Sequence, residues 1–162
     1  MADDAGLTWT LRKQFNTGLT IRHTYEYYAI ATSALSSDTI TITADSNRTI
    51  RALAFGISGA NTSTPYDSNA SLPATGSCSF CTSLSISINT SNADDFIIGL
   101  FANGGGGGTE GSGYTLITKV STGPMILAEY KIVSTTQSGL GVTETATGNQ
   151  PLTGIADAVV QA

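Results

Sequence analysis

The stretch SLSISIN (83–89) sets an apolar side chain at every second position, Leu84, Ile86 and Ile88, with serine between them. Successive side chains of a strand point to opposite faces, so this pattern fits a strand buried on one face and does not form a helical stripe. The same period recurs in DTITITA (38–44), where Ile40 and Ile42 alternate with threonine. DFIIGLFA (95–102) is apolar almost throughout, as expected of a strand covered on both faces. Composition extends the argument to the whole chain. It holds 25 Thr and 18 Ser beside 18 Gly, and only 12% charged residues, so hydroxyl groups carry the solubility. β-Branched residues suit strands, and Gly, Ser, Asn and Asp suit turns. The expected fold is all-β: a two-layer antiparallel β-sandwich, jelly-roll-like, in a single domain over residues 1–162.

An internal echo adds a second constraint. GLTWTL (6–11) is answered by GSGYTL (111–116), EYYAIATS (26–33) by EYKIVSTT (129–136), and TIRALAFGIS (49–58), more weakly, by PLTGIADAVV (151–160). EYYAIATSAL alone is compatible with a helix. Its β-branched counterpart argues for a strand, and two copies of one element are expected to share one conformation. The echo divides the chain into a first half-repeat (1–58), a connecting loop (59–82) and a second half-repeat (83–162). In the second half, GSGYTL follows two strands; in the first, GLTWTL follows only MADDA. The first half is therefore expected to lack its leading strands. A sheet so shortened exposes unpaired backbone groups, which a neighbouring chain can cover by adding a strand. An asymmetrically rebuilt sandwich or a fragment of a longer chain would account for the same gap.

Several function classes are disfavoured. Net charge is −5, and the seven basic residues are scattered, so no footprint for nucleic acid is expected. MADDAGLTWT lacks the basic and apolar regions of a signal peptide, so if Met1 is the true start the product is expected to stay in the cytosol unless something else exports it. The longest apolar runs, such as FIIGLFA (96–102), are too short to span a bilayer. The five glycines 104–108 are not followed by Lys-Ser or Lys-Thr, so they read as a mobile exposed tip or hairpin and not as a phosphate loop. Cys78 and Cys81 in CSFC have no further cysteines to complete a zinc site, and are expected either to close a small disulfide under oxidising conditions or to stay as thiols.

No catalytic set, metal or cofactor is expected. His23, the one histidine, lies in the alternating stretch TIRHTYEY and reads as structural. Glu26, Glu129 and Glu144 could supply a glycosidase pair, but Glu26 and Glu129 are matched positions of the echo, so one structural role explains both. Asn92 and Asp94 in SNADDF read as turn caps; Asp95 follows them without the spaced carboxylates of a calcium loop. Four Asn-X-Ser/Thr sequons, at Asn47, Asn61, Asn69 and Asn89, fit an exposed surface.

GLTWTLRKQF, YYAIATSALSSDTITIT, AFGISGANTSTPYD, TSNADDFIIGLF and the closing GIADAVVQ resemble a group of Thr/Ser/Gly-rich β-sandwich domains from tailed-phage virion surface proteins and microbial surface proteins. The resemblance covers nearly the whole chain but carries no catalytic motif. It implies a non-enzymatic structural protein on a virion exterior, a capsid decoration or cement subunit, whose partners are copies of itself and a major capsid or other virion protein. The contact segments expected are the arm Met1, Ala2, Asp3, Asp4, Ala5 and Gly6, and the loop at Thr64, Pro65, Tyr66 and Asp67. Two alternatives stand beside it. One is a carbohydrate-binding module of a tail fibre, meeting a host-surface glycan through Trp9, Tyr66 or Tyr114. The other is an extracellular cell-surface filament joined by donated strands.

Overall fold

The structure, a computed structural model, describes residues 1–17, 22–47 and 49–162. Thr20 and Ile21 of TIRHTYEY, and Arg48 in the sequon of Asn47, lie outside the described residues. Every regular element described is a strand: β1 (Ala2–Asp3), β2 (Thr10–Thr17), β3 (Arg22–Tyr28), β4 (Ile40–Thr41), β5 (Ala74–Ile88), β6 (Asp94–Asn103), β7 (Gly108–Thr109), β8 (Thr115–Val120), β9 (Ile126–Ser134) and β10 (Leu140–Val160). The chain is all-β.

The main sheet runs β5-β10-β6-β9-β8, with β7 also against β10, and its pairs are antiparallel. Its 21-residue strand β10 serves two layers. The first half of β10 pairs with the end of β5, Val142 opposite Ile86, and with β7. After register shifts between Thr145 and Leu152, its second half pairs with β6, Ile155 opposite Leu100. The sheet thereby folds back on itself, and the layers meet where a Cβ on Gly99 of β6 would lie 2.7 Å from Val142. Leu84, Ile86 and Ile88 fill the interlayer core with Ile97, Phe101, Leu127 and Val142. SLSISIN and DFIIGLFA are therefore strands with the inward residues their patterns demanded.

Beyond β5, the connecting segment continues the sheet edge. Asp67 donates its N–H to the Ala158 carbonyl, Val160 donates to Pro65, and isolated bridges join Ala60 to Gln161 and Tyr66 to Val159. The loop expected over 59–82 is thus shorter, since β5 already begins at Ala74. The glycine tip is also corrected. Gly108 and Gly111 are buried, Met125 donates to the Gly105 carbonyl and Thr147 to that of Gly107. The glycines permit close backbone approach rather than mobility. A Cβ on Gly111 would stand 2.4 Å from the carbonyl oxygen of Thr143, a backbone atom that cannot swing aside. Gly111→Ala is accordingly expected to cost about 2–3 kcal/mol, seen as a lower urea midpoint, whereas Gly56→Ala, with open space around it, stays within about 0.5 kcal/mol.

The first half differs from expectation. β2 and β3 form a separate two-stranded hairpin, and β1 pairs only with β4. Residues 29–33, read as the end of a strand, are irregular, and DTITITA contributes only Ile40 and Thr41. TIRALAFGIS lies outside any strand, whereas PLTGIADAVV falls within β10. GLTWTL enters its strand only at Thr10. The two hairpins β2–β3 and β8–β9 nevertheless share a bulge just after the matched leucine, between Leu11 and Lys13 and between Leu116 and Thr118.

Candidate functional site: the docked hairpin and the open N-terminal half

Six of the twelve acidic side chains are buried: Glu26, Asp67, Asp95, Glu129, Glu144 and Asp157. One of them has a salt bridge among the described residues. Arg12 on β2 donates from Nε and Nη2 to the two carboxylate oxygens of Asp157 on β10, at 2.8 and 3.2 Å. The same guanidinium lies 4.1 Å above the Tyr66 ring, and Tyr66 meets Tyr28 edge-on at 5.0 Å. Glu26 completes this cluster. Its burial, and then the charge of Asp157, push its pKa up to about 8. The inner face of the β2–β3 hairpin is thus fastened to the outer face of β10 by one guanidinium serving a site with two carboxyl groups.

A second cluster ties the connecting segment to the β5–β6 turn. Asp67 accepts N–H groups from Asn69, Ser91 and Asn92 and the side-chain amide of Asn92. Burial pulls Asp67 upward, but these donors outweigh it and hold the carboxyl below its ordinary value. Asp95 sits beside it and moves the other way: burial and the Asp67 carboxylate push its pKa to about 7. Asp95 was no more than a neighbour of a turn cap in the sequence. The backbone N–H groups of this turn are capped by the Asp67 carboxylate, to which Asn92 also donates its side-chain amide.

The third cluster is interior. Glu129 accepts the Gly111 N–H at 2.8 Å, and Glu144 accepts from the Asn103 amide. Burial pushes Glu129 up to about 7 against the Gly111 bond, and Glu144 upward also. Both side chains are fully buried, so they have no route to a glycan, and a glycosidase pair is not formed. The matched Glu26 and Glu129 share burial and a raised pKa.

The other singled-out residues are placed as follows. Trp9 is half-buried and donates its indole N–H to Asp3, and Tyr114 donates its hydroxyl to the Gly141 carbonyl with Lys131 over its ring. With Tyr66 held under Arg12, each of the three aromatics expected to face a ligand has a partner within the chain, and all three are half-buried. Ala2 and Asp3 of the arm are paired with β4; Met1, Asp4, Ala5 and Gly6 are exposed. In the loop, Thr64 is exposed, while Pro65, Tyr66 and Asp67 are occupied by β10 and the β5–β6 turn. Cys78 and Cys81 are joined as a disulfide, which closes a bulge of β5 and leaves Phe80 72% exposed.

The described residues of 29–39 and 42–58 lie outside any strand, and no backbone–backbone hydrogen bond ties them to another segment. Leu35, Ile42, Ile50 and Phe55 on them are 36–47% exposed. A cavity of about 500 Å3 opens between residues 5–10 and 28–35, with Tyr28 its one titratable lining residue. No family model matches the chain, and no curated protein or solved structure does either.

Proposed function

We propose that this protein is a non-enzymatic structural subunit that assembles with copies of itself through its N-terminal half, in the setting of a virion exterior that the sequence resemblance implies. The observation that carries the reading is the long run 29–58, whose described residues are almost without strand pairing, in a chain otherwise rich in strands. Structureless connections beyond about 12–15 residues are uncommon in compact domains and are usually functional or linker segments. The alternating apolar side chains of this run resemble a strand awaiting a sheet. A free edge is at hand: β9 is flanked by β8 and β6, whereas its counterpart β3 has only β2. Strand addition at such an edge pairs backbone groups and covers apolar side chains together.

Light scattering over a range of concentrations tests the proposal. The expected result is a discrete oligomer, reduced to monomer by Ile50→Asp together with Phe55→Asp. A monomer at all concentrations, with slow amide exchange across residues 42–58, would overturn it.

A further inference from the structure

The outer face of the hairpin carries a feature that neither docking nor edge pairing uses. His23, Tyr25 and Tyr27 occupy alternate positions of β3 and project away from β10. Their rings form a row: centroids are 6.3 Å apart for both neighbouring pairs, with interplanar angles of 25° and 27°. Tyr25 is 47% and Tyr27 40% exposed. Opposite each ring stands a residue of β2 on the same face: Asn16 across from His23, Gln14 from Tyr25 and Leu11 from Tyr27. The Asn16 carbonyl oxygen binds the His23 ring nitrogen at 2.5 Å and accepts the Gln14 amide at 3.3 Å. The surface is therefore a line of exposed rings inclined at 25–27° to one another with two amides alongside, and its described side chains include no carboxylate and no permanent cation.

We propose that this face is a binding platform for a neutral polysaccharide chain. Sugar rings present C–H faces that stack on aromatic rings and equatorial hydroxyls that suit amide donors and acceptors. Three consecutive rings fit a ligand that is itself a linear repeat. The area decides against a protein partner. Two strands about 5 Å apart, over three alternate residues, offer roughly 200 Å2, well short of the ~800 Å2 per partner of a stable protein interface. Charge decides against nucleic acid, since the described side chains of the row include no permanent cation and the chain is at −5. The platform is also pre-organised, because Arg12, Glu26 and Tyr28 hold the opposite face of the same hairpin against the sandwich. It is distinct from the edge of β3 and from residues 29–58, so it does not depend on the assembly reading.

Native-gel retardation in hydroxyethylcellulose, galactomannan and dextran provides the test, with light scattering on each variant. Retardation by at least one of the three is expected, unchanged in 0.5 M salt in keeping with a neutral ligand. Tyr25→Ala and Tyr27→Ala should each weaken binding by roughly ten-fold, while Tyr25→Phe and Tyr27→Phe retain it because the rings remain. These positions are exposed, so the variants fold. Three results overturn the proposal: no retardation of the wild type by any of the three, retardation that survives both alanine substitutions, or a fall in oligomer mass on Tyr25→Ala, which would make the row a self-contact.

Discussion

The protein should become more stable as pH falls from 8 to 5, with an unfolding midpoint higher by roughly 10 °C at the acid end. Carboxyl groups usually give the opposite trend, because folded proteins hold them ionised in ion pairs. Here burial pushes Glu26 to about 8, and Asp95 and Glu129 to about 7, and raises Glu144 and Asp157. Between the ordinary carboxyl range and those values, the folded chain holds protons that the unfolded chain has released. Stability therefore falls as pH rises through that window, by up to ~1.4 kcal/mol per pH unit for each such group. The stabilisation is fully present below the unfolded values and lost above pH 7–8. Below about pH 4 the gain ends, because Asp67, held low by its N–H donors, must then be protonated at a cost. Calorimetry at pH 5, 6, 7 and 8 measures the trend. Glu129→Gln should match the wild type at pH 5 and exceed it at pH 8, since the neutral isostere needs no proton. A midpoint that is flat or rising from pH 5 to 8 would refute this account of the buried carboxyls.

Much of the C-terminal sandwich was legible in the sequence, and the reason is physical. A strand buried on one face must alternate, as SLSISIN does, and one buried on both must be apolar, as DFIIGLFA is. The burial of Glu26 and Glu129 was foreshadowed only by their matching positions, because a carboxyl group carries no local mark of being kept protonated. The glycine run was misread since glycine serves mobility and close packing alike. What distinguishes them is the facing residue, Gln150 for Gly105 and Thr147 for Gly107, forty or more positions away. The aromatic row could have been found. HTYEY alternates rings with Thr24 and Glu26, and the sandwich buries Glu26, so the rings must face outward. Trp9, Tyr66 and Tyr114, the aromatics that stand out singly in the sequence, each have an internal partner. DTITITA shows the converse limit. Alternation marks a chain fit for a sheet, but not whether a neighbouring strand is present to pair with it.

Arg12→Ala should detach the hairpin at neutral pH. β2 and β3 share no ladder with the main sheet, so their hold on β10 rests on side chains at the face around Asp157. Asp157 is 1% exposed, Glu26 5%, and Lys13 is the other cation acting on Glu26. Removing the guanidinium leaves a buried carboxylate without its partner and strips Tyr66 of the cation over its ring. Breaking a buried pair from one side typically costs about 3–5 kcal/mol. The expected signs are rapid proteolysis within residues 29–58 and a lowered or split unfolding transition at pH 7.5. The defect should shrink at pH 5, where Glu26 and Asp157 can both take up protons. Replacing both partners, as Arg12→Met with Asp157→Asn, should recover most of the loss, because no charge is then left to desolvate. If Arg12→Ala resisted protease like the wild type at pH 7.5, apolar packing rather than the ion pair would be holding the hairpin. If instead the hairpin detached and assembly failed with it, the position of β3's free edge on the sandwich would be fixed by this one guanidinium, and neighbouring subunits would read that edge only while Arg12 holds it in place.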